Sequence, residues 1–240
     1  MQGPVSLLLA DAAVELVPRE ISRHPSVEGY ARRRGKRPEN ILLDSSYHYP
    51  AMRGLAAAEK RGRPDILHTT LLEALGSPLN KAGVLRVFCH TQSGLIIEVN
   101  PSVRLPRNYD RFKGLLEKLL VEGFISTERG ETLLRAEKRG LREWIRENYG
   151  DGAGVILLSE TGQPASERML VEQASTGRAI FAVGCFPRGD FSEEVKSIAQ
   201  GEISISCYRL EAWVAASRLL CLLERGFAAL EGGGLAPDIT

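Results

Sequence analysis

Short apolar runs recur along the chain and are separated by stretches in which apolar residues repeat at helical spacing. Seven of these runs have the length and composition of buried strands, at residues 5–10, 41–43, 85–90, 95–99, 155–158, 179–183 and 203–207. Strands that alternate with helices in this way predict an α/β fold, with a mainly parallel sheet and helices on both faces.

The helical stretches lie between the runs, at residues 47–60, 65–75, 107–122, 131–148, 165–174, 192–199 and 209–230. In the third, Pro106 suits a first-turn position, and Tyr109 and Phe112 begin an apolar stripe. Arg107 and Arg111 are spaced i, i+4 there, so we expect them to share one helix face.

Two segments depart from the simple alternation. Two strand-like runs flank the polar residues 91–94, which predicts a β-hairpin inserted into the α/β pattern. Residues 123–153 are charged and punctuated by glycines, which predicts a surface excursion. We therefore expect a single domain with an N-terminal part (1–122), this excursion, a C-terminal part (154–230) and a frayed tail (231–240).

The amino-acid composition predicts the cellular compartment but indicates no catalytic chemistry. The chain has 240 residues, 43% hydrophobic and 25% charged, which is typical of a soluble globular protein. Its four cysteines include no CxxC pair and have no histidine at ligand spacing, so we expect reduced thiols, no metal and a cytoplasmic protein. No apolar stretch reaches the roughly 20 residues of a membrane span, and we expect no membrane partner.

The charge is balanced overall, at 31 basic and 30 acidic residues, but it is clustered. Between Arg19 and Arg37 there are seven basic residues against two acidic ones. This segment has two open interpretations, an RNA-binding arm or a solvated loop. His68 and His90 lie in apolar surroundings and are interpreted as structural residues.

Common catalytic motifs are absent. The glycines at 184 and 189 have the spacing of a P-loop, but Asp190 and Phe191 stand where Lys and Ser or Thr are required. There is no GxSxG elbow, which disfavours a hydrolase. Three loops at strand ends, 158–162, 184–189 and 205–210, remain as candidates, because ligands in open α/β sheets bind beyond the carboxyl ends of the strands.

Four ordered motifs carry a resemblance to a known family. They are LADAAVELVP at 9–18, RPDILH at 63–68, SPLNKAG at 77–83 and VNPSVRLPRNYDRF at 99–112. Together they resemble the small-subunit ribosomal RNA pseudouridine-N1-methyltransferases, which belong to the SPOUT class, and the compact length is similar to that of the archaeal members. The resemblance implies a C-terminal trefoil knot that binds S-adenosylmethionine, and methylation of N1 of a pseudouridine in 16S-type ribosomal RNA during ribosome biogenesis.

The resemblance also implies roles for individual residues. The cofactor contacts that it implies are Leu158, Ser159, Gly184, Gly189, Ile205, Ser206, Cys207, Tyr208, Arg209 and Leu210. The RNA contacts that it implies are Arg63, Arg104, Arg107 and Arg111. Asp65 is expected to hold Arg63 in place; it also suits a helix N-cap, and it is a catalytic base only if Arg63 does not neutralise it.

A homodimer is expected as well, both from the resemblance and because the last helical stretch carries much apolar surface, including Trp213, Val214, Leu220 and Leu223. Two alternatives stay open at this point. One is a noncatalytic RNA-binding assembly factor, and the other is a transfer-RNA methyltransferase of the same class.

Overall fold

A computed structural model describes residues 4–230 of the chain, and within them eight strands form one sheet. The strands are β1 (Val5–Ala12), β2 (Leu85–Thr91), β3 (Leu95–Val99), β4 (Phe124–Ser126), β5 (Thr132–Lys138), β6 (Gly154–Pro164), β7 (Ala179–Gly184) and β8 (Ala199–Ser204). Their order across the sheet is β4-β5-β3-β2-β1-β7-β6-β8.

The sheet has a parallel part and an antiparallel part. Strands β2, β1, β7, β6 and β8 are parallel neighbours, whereas β2–β3, β3–β5 and β4–β5 pair antiparallel. The predicted mainly parallel sheet and the predicted hairpin at 85–99 are therefore confirmed.

Helices cover both faces of the sheet, as predicted. They are α1 (Pro25–Arg33), α2 (Ser45–Met52), α3 (Pro64–Gly76), α4 (Pro78–Lys81), α5 (Tyr109–Glu122), α6 (Leu141–Tyr149), α7 (Glu167–Ser175), α8 (Glu193–Ile198) and α9 (Ala212–Leu230). Along β1, Leu7 and Leu9 pack with α3, α5, α7 and α9, while Leu8 and Ala10 pack with α6 and α8. Because a central strand is buried on both faces, the residues that point to either face are apolar. This explains the continuous apolar run in β1.

The predicted strand at 41–43 does not form. Leu42 makes only an isolated bridge with Leu16, and its amide donates to the carboxylate of Glu117 instead of to a strand. Asp44 then caps α2 by accepting from the amide of Ser46. The predicted helix at 47–60 is also too long, because α2 ends at Met52 and Ala57 adopts a left-handed conformation.

The segment 123–153 is part of the sheet and the core rather than a surface excursion. Gly123 ends α5 with φ +85°, and β4 and β5 then extend the sheet beyond β3. The predicted helix at 131–148 is wrong in its first half, because residues 132–138 form β5, which pairs with β3 and β4 through its backbone. In the second half, α6 buries Leu141 and Trp144 against the sheet.

The C-terminal elements are shifted from their predicted bounds. β8 ends at Ser204, so most of the predicted strand 203–207 is a loop, and α9 begins at Ala212 instead of residue 209. In α9, Leu220 and Leu223 belong to the core of this chain, where α9 packs on α3 and α7, whereas Trp213 and Val214 are half-buried. The predicted frayed tail lies outside the described residues.

Candidate functional site

The three candidate loops lie on neighbouring parallel strands: the first, 158–162, contains a bulge inside β6, and the other two follow β7 and β8. Strand β6 pairs with β8 on both sides of a bulge: Leu158 and Gln163 both face Ile203, so residues 159–162 leave the ladder. A Cβ at Gly162 would lie 2.6 Å from backbone atoms of Ile203, so only glycine permits this close approach. The bulge therefore places the first loop directly beside the third.

The first and third loops contact each other and enclose a cavity of about 50 Å³. Its lining includes six of the ten predicted cofactor residues: Leu158, Ser159, Ile205, Ser206, Tyr208 and Leu210. Cys207 and Arg209 are exposed and do not line it. Ligand pockets generally have volumes of roughly 300–1,000 Å³, so this cavity takes only part of a ligand of nucleoside size.

The second loop, after β7, is fastened to the rest of the chain at both ends. Gly189 has φ +89°, and a Cβ there would lie 2.6 Å from Cε of Lys60. The ammonium of Lys60 donates to the carbonyl of Asp190 (2.7 Å). Asp11, at the end of β1, accepts from the amide and hydroxyl of Ser192 (2.6 and 2.8 Å). A Cβ at Gly184 would meet the ring of Phe186, so that ring occupies the space in front of Gly184.

Arg63 and Asp65 form a bidentate ion pair at the start of α3. Nε and Nη2 of Arg63 donate to the two carboxylate oxygens of Asp65, at 2.8 and 2.7 Å. These hydrogen bonds raise the pKa of Arg63, and Glu211, which directly follows the third loop, adds to the shift. The expected pairing of the two residues is thus present, and it brings Arg63 close to the cofactor loops.

The predicted N-cap role of Asp65 is wrong. The helix begins at Pro64 with Arg63 at the N-cap, so Asp65 lies inside the first turn. A carboxylate there interacts favourably with the positive end of the helix dipole. Both of its oxygens are occupied by Arg63, so the condition for Asp65 to act as a base, freedom from Arg63, is not met.

The other three predicted RNA-binding arginines lie on the connection from β3 into α5, and all are exposed. Arg104 stands between the buried residues Val103 and Leu105, which anchor the segment in the core. The expectation that Arg107 and Arg111 share a helix face is wrong: Asn108 caps α5 by accepting from the amide of Arg111, so Arg107 precedes the helix. Among the described residues, none of the three arginines has a carboxylate within 4.0 Å.

Pro106 and His68 connect this segment to the start of α3. Nε2 of His68 lies 2.7 Å from the carbonyl of Pro106, and its ring stacks on Phe112 at 4.1 Å. His90 is buried between Asp11 (3.4 Å) and Glu194 (3.5 Å). Burial raises the pKa of Asp11, but its contacts with His90 and Ser192 lower it overall. Both histidines are therefore packed among residues that hold the loops in place.

The basic segment 19–37 is folded and partly neutralised. It contains α1, and Arg34 and Lys36 both contact the buried carboxylate of Glu117 on α5, at 3.2 and 2.6 Å. Arg32, Arg33 and Arg37 are exposed. The loop interpretation is thus replaced by a helix that is fixed to α5 and displays some of its arginines to solvent.

Sequence reasoning missed a buried cation next to this helix. The side chain of Lys113 is only 1% exposed and lies 3.3 Å from Asp44 and 3.2 Å from Asp110. Burial lowers the pKa of Lys113, but Tyr30 and Asp44 outweigh it and raise the pKa to about 12. The rings of Tyr47 and Tyr109 also face its ammonium. The helical spacing of Tyr109, Phe112, Lys113 and Leu116 was the signal that could have placed it on the buried face.

Sequence reasoning also missed a cleft between α2 and the second loop, with a volume of about 440 Å³. We call it the Tyr49 cleft; its lining includes Tyr49, Arg53, Arg61, Arg63 and Arg188. The only signal for this cleft in the sequence was a tyrosine four residues before an arginine, close to the basic residues at 60–63.

Within residues 4–230, no helix is both long and apolar enough to span a membrane. In the same part of the chain, no three His, Cys, Asp or Glu side chains are grouped so that they could bind a metal ion.

The fold and these contacts define an α/β protein with candidate ligand loops on neighbouring parallel strands, beside a cationic surface formed by Arg63, Arg104, Arg107 and Arg111. Three comparisons make the assignment specific. A family model described as EMG1/NEP1 methyltransferase matches residues 7–224. The chain is 45% identical to the ribosomal RNA small subunit methyltransferase Nep1 of Staphylothermus marinus over 220 residues, 92% of this chain and 95% of that one.

The protein of the same name from Pyrococcus furiosus is 42% identical over 229 residues, 93% of this chain and 98% of that one. The crystal structure of Archaeoglobus fulgidus Nep1 bound to S-adenosylhomocysteine matches with a TM-score of 0.83 and 40% identity, covering 95% of this chain and all of that one. The chain belongs to the EMG1/NEP1 methyltransferase family, and the resemblance seen in its sequence motifs is confirmed.

Proposed function

We propose that this protein transfers a methyl group from S-adenosylmethionine to N1 of a pseudouridine in small-subunit ribosomal RNA. The observation that carries the proposal is the Arg63–Asp65 pair, which lies next to both the cofactor loops and the cationic surface. The names of the relatives support methylation of small-subunit ribosomal RNA. The specificity for N1 of pseudouridine rests on the sequence resemblance.

The cofactor site is assigned to the three loops. Leu158, Ile205 and Leu210 offer an apolar wall for an adenine ring, and Ser159 and Ser206 add hydroxyl groups. These residues fit the cofactor in chemistry, and the relative that binds S-adenosylhomocysteine covers the same part of the chain. When bound, the cofactor supplies a methyl group on a positively charged sulfur. The trefoil knot expected here stays a prediction for residues 154–230.

On the substrate side, Arg63 positions the target nucleotide while the exposed arginines hold the RNA backbone. A guanidinium fixed by two hydrogen bonds still presents its remaining N–H groups in a defined direction. Arg104, Arg107 and Arg111 are not neutralised by nearby carboxylates, so they are free to contact phosphates. The target base has to leave its loop to reach the cofactor.

The chemical step forms a bond from N1 to the methyl carbon and breaks the bond from that carbon to sulfur, so that S-adenosylhomocysteine leaves as a neutral thioether. The N1 proton passes to solvent water. Because the methyl group is already activated, alignment and exclusion of water supply most of the acceleration. Asp65 acts on the reaction through Arg63, since both of its oxygens accept from that guanidinium. Asp65 is thus assigned as a positioning residue.

Two further proposals concern the setting. The protein acts in the cytoplasm, where ribosomal subunits assemble, and it works as a homodimer. The apolar argument for the dimer now rests on Trp213 and Val214, because Leu220 and Leu223 are used within the chain itself. Sedimentation at micromolar concentration is expected to give twice the monomer mass.

A pair of matched RNA hairpins tests the function. They differ only in carrying pseudouridine or uridine at one loop position, and methyl transfer from labelled S-adenosylmethionine is measured on each. The proposal expects transfer to the pseudouridine hairpin alone. Equal binding of both without transfer would indicate a noncatalytic assembly factor, and a preference for transfer RNA would indicate the other alternative.

A further inference from the structure

The Tyr49 cleft has the components of a single-stranded RNA site. Tyr49 on α2 is 63% exposed, although aromatic side chains are usually buried for packing. Arg53, one turn later, lies over its ring with Cζ 5.8 Å from the centroid. Proteins that hold single-stranded nucleic acid combine exposed rings, on which bases stack, with cations that follow the backbone.

The arginines of the Tyr49 cleft differ in whether their guanidinium groups already have acidic or carbonyl partners. Arg61 donates hydrogen bonds from Nε and Nη2 to the carboxylate of Glu15 and from Nη1 to the carbonyl of Ala56, so its guanidinium is already engaged. Arg53 and Arg188, by contrast, have no carboxylate within 4.0 Å among residues 4–230. Glu59 is the one acidic residue in the described lining. Two guanidinium groups are therefore available to a phosphate on either side of the cleft.

The walls of the cleft are fixed relative to each other. Lys60 donates to the carbonyl of Asp190, and Gln92 donates to the carbonyl of Lys60 (2.6 Å). The first bond ties the segment after α2 to the residue that follows the second loop, and the other ties that segment to the β2–β3 turn, so both walls of the cleft are connected to the rest of the fold. Its volume of about 440 Å³ lies in the range of pockets that bind small ligands, which suits one nucleotide.

We infer that the Tyr49 cleft binds a nucleotide next to the target in the RNA strand, with its base stacked on Tyr49 and its phosphate between Arg53 and Arg188. Arg63 lines the same cleft, so a strand held there runs directly to the residue that positions the target. The inference rests on the proposed function, because it takes the ligand to be the RNA substrate. It adds a site that selects for an unpaired neighbour of the target.

The first test is the affinity for the pseudouridine hairpin, measured by fluorescence anisotropy. Tyr49→Ala is expected to raise Kd about five- to a hundredfold, whereas Tyr49→Phe, which keeps the ring, should stay within about twofold of the wild type. Arg53→Ala and Arg188→Ala are each expected to lower the salt slope of binding by about 0.7. Arg129→Ala, an exposed arginine of the β4–β5 turn, is the control and should change neither quantity.

The second test locates the base. Hairpins with 5-iodouridine at single positions flanking the target are irradiated in the complex, and the cross-linked peptide is identified by mass spectrometry. The expected result is one flanking position that cross-links to Tyr49. Circular dichroism and S-adenosylhomocysteine calorimetry confirm that each variant is folded and keeps its cofactor site.

The outcomes separate the inference from the proposed function. If the wild-type protein methylates the hairpin but the Tyr49, Arg53 and Arg188 variants bind it like the wild type, the inference is overturned and the function stands. If the wild type methylates no hairpin and Tyr49→Ala still weakens binding with loss of the cross-link, the proposed methylation fails while the nucleotide site is supported.

Discussion

Arg63 and Asp65 show how two adjacent charges can act as one unit. Pro64 holds the chain between them in the first turn of α3, and the two hydrogen bonds leave the carboxylate no free oxygen. The pair is about 40% exposed, so its ionic contribution to stability is small. Its value lies in fixing the direction of the guanidinium.

A double-mutant cycle tests this coupling. Arg63→Ala is expected to reduce kcat about tenfold or more, since a hydrogen bond to a charged group contributes ~1.5–3 kcal/mol, and to change RNA affinity less. Asp65→Ala should have a similar effect, and the double variant should be little worse than either single one. Glu73→Ala, an exposed carboxylate on the same helix, serves as the control. Strictly additive losses would show that Asp65 acts independently, as a proton acceptor.

A second prediction for a single residue concerns His48, which is buried on α2. Its Nδ1 accepts from the amide of Asp44, and burial lowers its pKa to about 4, with Lys113 acting in the same direction and Asp44 opposing it. Because the unfolded chain takes up this proton near pH 6.5, the stabilisation is complete above pH 6.5 and is lost as the pH falls toward 4.

The expected loss is ~3 kcal/mol of unfolding free energy between pH 6.5 and 4. Urea denaturation across this range measures it. His48→Asn retains an acceptor for the Asp44 amide but does not titrate, so its stability should depend less on pH. Identical pH profiles for the two proteins would show that His48 does not titrate in this way.

Among the elements, the third loop is the one that we propose to contact the cofactor. It encloses only about 50 Å³ with the first loop, and Tyr208 is 75% exposed. We expect residues 205–210 to exchange amide hydrogens quickly in the free protein, and to be protected at least about tenfold when S-adenosylhomocysteine binds. β1, a central strand, is the internal reference. Unchanged exchange in the loop at saturating ligand would place the cofactor elsewhere.

The segment that leads from β3 into the first turn of α5 is the element that we propose to bind the RNA backbone. Val103, Leu105 and the Asn108 cap fix its backbone, so its arginines are presented without ordering a flexible loop. Each of Arg104→Ala, Arg107→Ala and Arg111→Ala should lower the salt slope of RNA binding by roughly 0.7–0.9, for any hairpin sequence. Sequence-dependent losses in titrations from low to high salt would instead assign these arginines to base contacts.

The same elements show what the sequence could and could not predict. The central strands β1, β2 and β7 are buried on both faces, so their apolar runs identify them directly. β5 and β8 are largely exposed and are held by backbone pairing, which leaves little trace in the side chains. For the same reason, residues 131–138 resembled a charged helix.

At the scale of the molecule, the site predictions divide in a similar way. Arg63, Asp65 and the exposed arginines come from motifs continuous in sequence, and the structure shows their pairing and exposure. The Tyr49 cleft joins residues more than 130 positions apart, Tyr49 and Arg188, and only the sheet topology brings them together. The burial of Lys113 could not be predicted from its own segment, because its partners, Asp44 and Tyr30, lie on two other helices or their caps.

The loops proposed to bind the cofactor lie beside the arginines proposed to bind RNA, and the central claim is that the two cooperate in one methyl transfer. The most direct measurement incubates unmodified and pseudouridine-containing small-subunit ribosomal RNA with the protein and labelled S-adenosylmethionine, followed by nuclease digestion and mass spectrometry. We predict a single methylated nucleoside, 1-methylpseudouridine, formed only in the pseudouridine-containing RNA. A methyl group found on any other nucleoside, or no transfer by a folded protein that binds both RNA and cofactor, would contradict the claim.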